Sequence, residues 1–212
     1  MAISDMRRQY SMGTLTSEAL TDNPLDLFRK WLDEAIAAGI PDPTAMTVAT
    51  VDANGQPSQR IVLLKEITSQ GFVFYTNFGS RKAQELEGNA QVSLHFPWFF
   101  MERQISVRGR AEKLSATHNA TYFFSRPLDS QLAAYASHQS QPIENKEALL
   151  TRFAQLKQQY KDTKLPAPEF WGGYLIKPSQ IEFWQGGEDR LHDRFEYTLN
   201  DQHCWTTQRL MP

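Results

Sequence analysis

Residues 45–77, "AMTVATVDANGQPSQRIVLLKEITSQGFVFYTN", decide the fold. β-Branched and aromatic side chains recur with the period of half-buried strands. Asn54-Gly55 supplies the positive φ angles that a tight hairpin needs, and "TSQG" at 68–71 marks the next turn. The segment predicts a strand meander. "QVSLHFPWFFMERQISVRGRAEKLS", residues 91–115, adds two more strands. Antiparallel strands this close in sequence favour a small barrel or curled sheet, because closure removes exposed edges.

Helical patterns surround this core. In "TDNPLDLFRKWLDEAIAAG" (21–39), Asp22 or Asn23 can cap, Pro24 suits the first turn and Gly39 ends the helix. Leu25, Phe28, Leu32, Ala35 and Ile36 follow the 3.6 period and predict a buried face. "SATHNATYFFSRPLDSQLAAYASHQSQ" (115–141) predicts two short helices broken at Arg126-Pro127, since proline disfavours helix in the residue before it. "NKEALLTRFAQLKQQYKDT" (145–163) predicts another amphipathic helix. "FWGGYLIKPSQIEFWQGGEDRLHDRFEY" (170–197) and "HCWTTQRL" (203–210) return to strands. The expectation is an α+β chain, with residues 1–20 as a polar arm and 21–212 as a single antiparallel barrel domain interrupted by helices. The arm, with "MRRQY" at 6–10, reads as a disordered terminus or as a flap over a site.

The 212 residues carry 41% hydrophobic and 22% charged side chains, an ordinary globular mix. A net charge of -2 argues against a general nucleic-acid binder. One cysteine, Cys204, rules out an intramolecular disulfide and suggests a reducing compartment. The first residues lack an apolar signal region, and no run approaches a membrane span. These features together predict a soluble cytoplasmic chain.

Four segments bear on chemistry. "EDRLHDRFEY" (188–197) places Arg190, His192 and Arg194 at every second position, one face of a strand if the segment is a strand. Such a face is either a solvated sheet edge or a surface that holds something anionic or electron-rich. In "YTNFGSRKAQEL" (75–86), Gly79-Ser80 opens a helix whose first turn holds Arg81 and Lys82. Cations there oppose the helix dipole unless an anion joins them. "RIVLLKEI" (60–67) reads as an apolar strand with charged ends, Arg60 and Lys65 facing opposite sides. Tyr122, Arg126 and Ser130 recur every four residues and form a set suited to phosphate. No His/Cys cluster has metal spacing. There is no G-x-S-x-G, no P-loop and no G-x-G-x-x-G. Two phosphate-like sites without a nucleophile or metal point to a phosphorylated cofactor and a phosphorylated substrate.

Taken in order, "QRIVLLK" (59–65), "VFYTNFGSRKAQEL" (73–86), "ERQISVRGRAEKLS" (102–115), "YFFSRPLDSQLAAYAS" (122–137), "FWGGY" (170–174) and "IEFWQGGEDRLHDRF" (181–195) closely resemble the pyridoxine/pyridoxamine 5′-phosphate oxidase family. The resemblance runs from about residue 6 to the C-terminus. It implies an FMN-binding split β-barrel with peripheral helices, and a homodimer with FMN at the interface. Arg60, Ile61, Val62, Leu63, Leu64 and Lys65 match the strand along the flavin. Tyr75, Thr76, Arg81, Lys82, Gln104, Gln139, Ser140, Trp184 and Arg194 match further FMN positions, several of them contributed by the other subunit. Lys65, Tyr122, Arg126 and Ser130 match the substrate-phosphate cradle. Arg190 and His192 match the catalytic pair beside the pyridine ring, and Arg7 and Tyr10 match N-terminal residues that fold over substrate.

The implied reaction oxidises C4′ of pyridoxine 5′-phosphate or pyridoxamine 5′-phosphate to the aldehyde, with hydride transfer to flavin N5 and reoxidation by O2. Two rivals share the fold: a phenazine-pathway flavin oxidase with a different pocket, and a non-catalytic flavin or pyridoxal-phosphate carrier. The phosphate set at 122, 126 and 130 argues against the first, and Arg190 with His192 against the second.

Overall fold

The computed structural model describes residues 2–212. Helix α1 spans Pro24–Ala37, and Asn23 caps it by accepting the Leu25 N–H at 3.0 Å. Gly39, at φ 68°, takes the left-handed conformation that ends it. Its buried stripe is Leu25, Leu27, Phe28, Trp31, Leu32 and Ala35. Ile36 was expected on that face but is exposed. It sits at the stripe's margin in the last turn.

Among the described residues, nine antiparallel strands form one sheet: β1 Ala45–Val51, β2 Pro57–Leu63, β3 Glu66–Ile67, β4 Phe72–Asn77, β5 Gln91–Trp98, β6 Arg103–Lys113, β7 Trp171–Gln185, β8 Asp193–Leu199 and β9 Trp205–Arg209. The main path is β2-β1-β5-β6-β7-β4-β3, with β8 and β9 added beside β7. Its two ends, β2 and β3, are joined by Leu64-Lys65. The Leu64 N–H donates to Thr44 O beside β1, and the Lys65 N–H donates to Val73 O on β4, each at 2.8 Å. That dipeptide draws the edges together and curls the sheet, the antiparallel α+β architecture expected. β7 pairs with β6 along most of its length, with β4 through its first half and with β8 through its second. It changes neighbours at a bulge opposite Arg108/Gly109. A Cβ on Gly109 would lie 2.2 Å from the Lys177 carbonyl oxygen, so only glycine fits there.

α1 packs over the sheet. Phe28 makes edge contacts with Phe72 and Phe96, both at 4.8 Å, and Trp31 with Phe183 at 5.2 Å. The crossover from β4 to β5 carries α2, Arg81–Gly88. The crossover from β6 to β7 carries α3 Ala116–Ser125, α4 Leu128–Ala136 and α5 Lys146–Gln159. The break between α3 and α4 falls at Arg126-Pro127, as read. α5 has only a shallow apolar stripe, with Phe153 and Leu156 against a second cluster of Phe123, Leu132, Leu165 and Trp171. None of the helices among the described residues is long and apolar enough to cross a membrane.

Candidate functional site

The turn after β4 and the start of α2 build one wall of a cleft of about 830 Å³. β2 and the α3–α4 elbow build the others. Arg60, Lys65, Arg81, Lys82 and Arg126 line it, and the described lining includes no carboxylate. Like charges in one cleft repel, so the arrangement is unfavourable until an anion enters.

Lys82 is the most deeply buried of the five. It is buried, and its Nζ donates to Thr76 Oγ1 and Gln139 Oε1, both at 3.0 Å, and to Ser80 Oγ at 3.4 Å. All three acceptors are neutral. Burial, reinforced by the nearby Arg60 charge, lowers its pKa to about 8. Ser80 occupies the N-cap position of α2, yet its hydroxyl makes no capping bond to the helix. Arg126 is half-buried: Nη2 donates to Ser130 O at 2.9 Å and the guanidinium lies over the Trp171 ring at 4.5 Å. Its Nη1 is buried without a hydrogen-bond partner, a costly state that an incoming acceptor would relieve. Beside it, Tyr122 stacks on Tyr75 with ring centroids 3.8 Å apart. Burial pushes the Tyr75 hydroxyl up to about 12, and raises Tyr122 as well, so both remain donors.

Arg60 is partly neutralised. It reaches Glu85 at 3.3 Å, Ser58 at 2.6 Å and Thr50 at 2.5 Å, while Thr50 also donates to Glu85. Burial works against the Glu85 carboxylate, but these hydrogen bonds outweigh it and hold the pKa below the usual range. The Thr50–Ser58–Glu85 support, and the lining by Asn77, Ser137 and Trp171, have no counterpart in the sequence reading. Trp171 stood in a quoted motif, but its place opposite Asn77 follows only from β4–β7 pairing.

Arg60 and Lys65 were expected on opposite sides of one strand. Both line the cleft, because β2 ends at Leu63 and the alternation lapses where the chain crosses to β3. Ile61 and Leu63 expose apolar side chains along this wall, and Val62 joins them in lining it. Leu64 does not: its side chain is buried in the core. Tyr75, Thr76, Tyr122, Ser130, Gln139 and Ser140 all line the same cleft.

Gln104, Trp184 and Arg194 lie elsewhere, in one row across β6, β7 and β8. Arg194 Nε donates to Glu182 at 2.7 Å, and that bond raises its pKa. The expected strand from 188 does not form. Glu188–Arg190 is a 3-10 turn in which Asp189 and Arg190 have φ of 53° and 65°, and β8 begins only at Asp193. Arg190 is exposed, so the alternate spacing of 190, 192 and 194 does not describe one strand face. His192 packs on Trp184 at 4.6 Å, and its Nδ1 accepts the Gly187 N–H at 3.1 Å. Burial first and Arg190 second lower its pKa. The neutral ring therefore carries its proton on Nε2. From the arm, Tyr10 packs against Trp184 and His192, whereas Arg7 is exposed. One chain thus presents two patches: the cationic cleft, and a His192–Trp184–Arg194 surface outside its lining.

Comparison with known proteins agrees along nearly the whole length. The model of the pyridoxamine 5′-phosphate oxidase family matches residues 32–160, and that of the pyridoxine 5′-phosphate oxidase C-terminal dimerisation region matches 171–212. Among curated relatives, the pyridoxine/pyridoxamine 5′-phosphate oxidase of Alteromonas mediterranea is 66% identical over 212 residues, covering 100% of both chains. That of Vibrio cholerae is 55% identical, again over 100% of each. Among solved structures, PhzG from Burkholderia lata in complex with tetrahydrophenazine-1-carboxylic acid superposes with a TM-score of 0.88 at 32% identity, covering 94% of this chain and 98% of that one. A pyridoxamine 5′-phosphate oxidase-related, FMN-binding protein from Nostoc punctiforme shares the fold, with a TM-score of 0.70 at 16% identity, covering 87% and 97%.

Proposed function

This chain belongs to the pyridoxamine 5′-phosphate oxidase family, and from that premise we propose that it oxidises pyridoxine 5′-phosphate and pyridoxamine 5′-phosphate to pyridoxal 5′-phosphate with FMN as cofactor. The observation that carries the proposal is the cleft with five cations and no carboxylate in its described lining, including the unpartnered Arg126 Nη1. Such a site suits two phosphate dianions better than one, because its cations fall into two groups.

Arg81 and Lys82, with Thr76, Gln139 and Ser140, hold the flavin phosphate at the start of α2. The apolar wall from Ile61 to Leu63 and the Tyr75 ring suit a flat ring system. Lys65, Tyr122, Arg126 and Ser130 hold the substrate phosphate, with Arg126 offering a guanidinium N–H. When bound, FMN would supply the hydride acceptor for oxidation of C4′ and O2 would take up the electrons as hydrogen peroxide; with the amine substrate, water hydrolyses the resulting imine to the aldehyde and ammonia. Arg190 orients the substrate ring. His192, with Nδ1 engaged by Gly187, presents Nε2–H as a hydrogen-bond donor and has no free lone pair to act as a base in this tautomer.

The second patch lies within the segment matched by the dimerisation region. In the homodimer we propose, Gln104, Trp184, Arg190, His192 and Arg194 of one copy complete the cleft of the other. Arg7 and Tyr10 of the arm cover the substrate.

The test is a stopped assay on FMN-loaded protein in air, following aldehyde and peroxide together. The expected result is equal amounts of both from pyridoxine 5′-phosphate and none from unphosphorylated pyridoxine. The likeness to PhzG from Burkholderia lata, solved in complex with tetrahydrophenazine-1-carboxylic acid, motivates one alternative: a flavin oxidase whose pocket takes an unphosphorylated carboxylic acid of that kind. Turnover of such an acid, with none of the phosphorylated vitamers, would replace the proposal with that one.

A further inference from the structure

Two carboxylates clamp the N-terminal arm beside the second patch. Glu102, only 5% exposed, accepts the Ser11 N–H at 2.8 Å and the Met12 N–H at 3.0 Å through one oxygen. Its other oxygen lies 3.9 Å from Arg8, whose Nη2 also donates to Phe99 O at 2.9 Å. Three residues further along the arm, Asp193 accepts the Leu15 N–H at 2.9 Å and is itself held by Arg209 at 2.7 Å. Leu15 is buried in the main core. Between Arg8 and Ser11, Tyr10 stands edge-on to Trp184 at 5.8 Å and to His192 at 5.4 Å.

Two further features show a seat shaped for Tyr10. A Cβ on Gly186 would come within 2.8 Å of the Tyr10 ring and 3.0 Å of Glu102 Cβ, so the glycine leaves the space the tyrosine fills. Glu102 itself holds a left-handed backbone, φ 54°, which a side chain adopts only when its surroundings compensate. Its carbonyl accepts the Gly186 N–H at 2.7 Å, which fixes that turn. A buried carboxylate needs hydrogen-bond donors, and among the described residues the hydrogen bonds of this one come from the arm. Burial of Glu102 and docking of the arm are therefore one event.

We propose that Glu102 is a positioning residue: it locks arm residues 8–12 so that Tyr10 closes over His192 and Trp184 and walls the substrate side of the site. The inference rests on the oxidase function proposed above. It is tested with FMN-loaded Glu102→Ala, Glu102→Gln, Tyr10→Ala and the double variant Glu102→Ala/Tyr10→Ala. Glu102→Ala should raise KM for pyridoxine 5′-phosphate about tenfold with kcat within about twofold and flavin retained. Glu102→Gln, whose amide oxygen can accept both N–H groups, should recover most of that loss. On the Tyr10→Ala background the Glu102→Ala effect should vanish, since residues acting as one unit are not additive. An unchanged KM in Glu102→Ala, or the same loss on both backgrounds, would overturn the proposal. Trypsin cleavage after Arg7 and Arg8 reads the arm without any turnover. Faster cleavage in Glu102→Ala than in wild type supports the clamp even if the chain oxidises neither vitamer, and equal cleavage overturns it.

Discussion

Replacing Lys82 by methionine should stabilise the flavin-free protein while weakening its hold on FMN. The folded chain buries the Lys82 ammonium among neutral oxygens, and its pKa stands at about 8 against an ordinary 10.5. Between those values the unfolded chain binds more protons than the folded one, so wild-type stability rises as pH goes from about 8 to 10.5; below 8 the whole penalty is present. At about 1.4 kcal/mol per pH unit, the gap amounts to about 3 kcal/mol at pH 7. Loss of the Thr76 and Gln139 bonds returns about 1 kcal/mol, and screening at the cleft mouth trims the rest. The net expectation is a variant more stable by about 1–2 kcal/mol at pH 7, an advantage that shrinks toward about pH 9.5. In the proposed flavin-phosphate site the same change would remove a charge-assisted bond worth about 1.5–3 kcal/mol, and so about 10- to 100-fold in FMN affinity. Urea denaturation of the flavin-free chain, at fixed concentration because association contributes, gives the first quantity. FMN titration by fluorescence quenching gives the second. A variant less stable than wild type at pH 7, or a difference that does not shrink with rising pH, would refute the claim that burial of this cation carries an energetic cost.

Three further outcomes follow from the same geometry. Arg126→Ala should raise KM for the phosphorylated substrate about 100-fold, the worth of a bidentate-capable guanidinium, while flavin stays bound; steady-state kinetics with a flavin-to-protein absorbance ratio checks this. Arg190→Ala should cripple turnover with FMN retained, whereas loss of flavin at unchanged specific activity per flavin would show that its role lies with the cofactor. Gly109→Ala forces a Cβ to within 2.2 Å of the Lys177 carbonyl oxygen and should cost about 2–4 kcal/mol, visible as a lower Tm; an unchanged melt would mean the β6–β7 bulge yields freely.

Features set by neighbouring residues were legible in the sequence. Asn23 and Gly39 bound α1, Gly55 takes φ of 82° in the first hairpin, and Arg126-Pro127 separates α3 from α4. Each depends on backbone preferences within a few residues. Features set by contacts distant in sequence were not. β7 runs 15 residues through Pro178 because it serves β6, β4 and β8 in turn, and Gly109 at the bulge and Gly71 on the other side leave room for that proline. A sequence window that contains a proline and two adjacent glycines shows none of this.

The site failed to be legible at a more instructive place. The period of 190, 192 and 194 is that of a strand, yet two consecutive left-handed residues, Asp189 and Arg190, turn the chain there. Periodicity registers which side chains could share a face; it does not register a backbone conformation that tertiary contacts hold at a cost. Here the contacts can be named: Gly187 N–H on His192 Nδ1, and a Gly187 Cα so close to the Leu191 carbonyl oxygen that a Cβ would fall 2.4 Å from it. The turn lifts Arg190 out to solvent while His192 stays against Trp184. In a straight strand both side chains would lie flat on one sheet face, as their spacing suggests. The turn therefore separates an arginine free to reach a ligand from a histidine fixed in one tautomer. The cleft's lining contains neither residue, so in the proposed active site a second copy of the chain would bring them to it. Dilution of the FMN-loaded protein below its dimer dissociation constant should therefore abolish turnover without changing the residues of either patch; specific activity independent of concentration through that transition, as located by sedimentation, would show that one chain suffices.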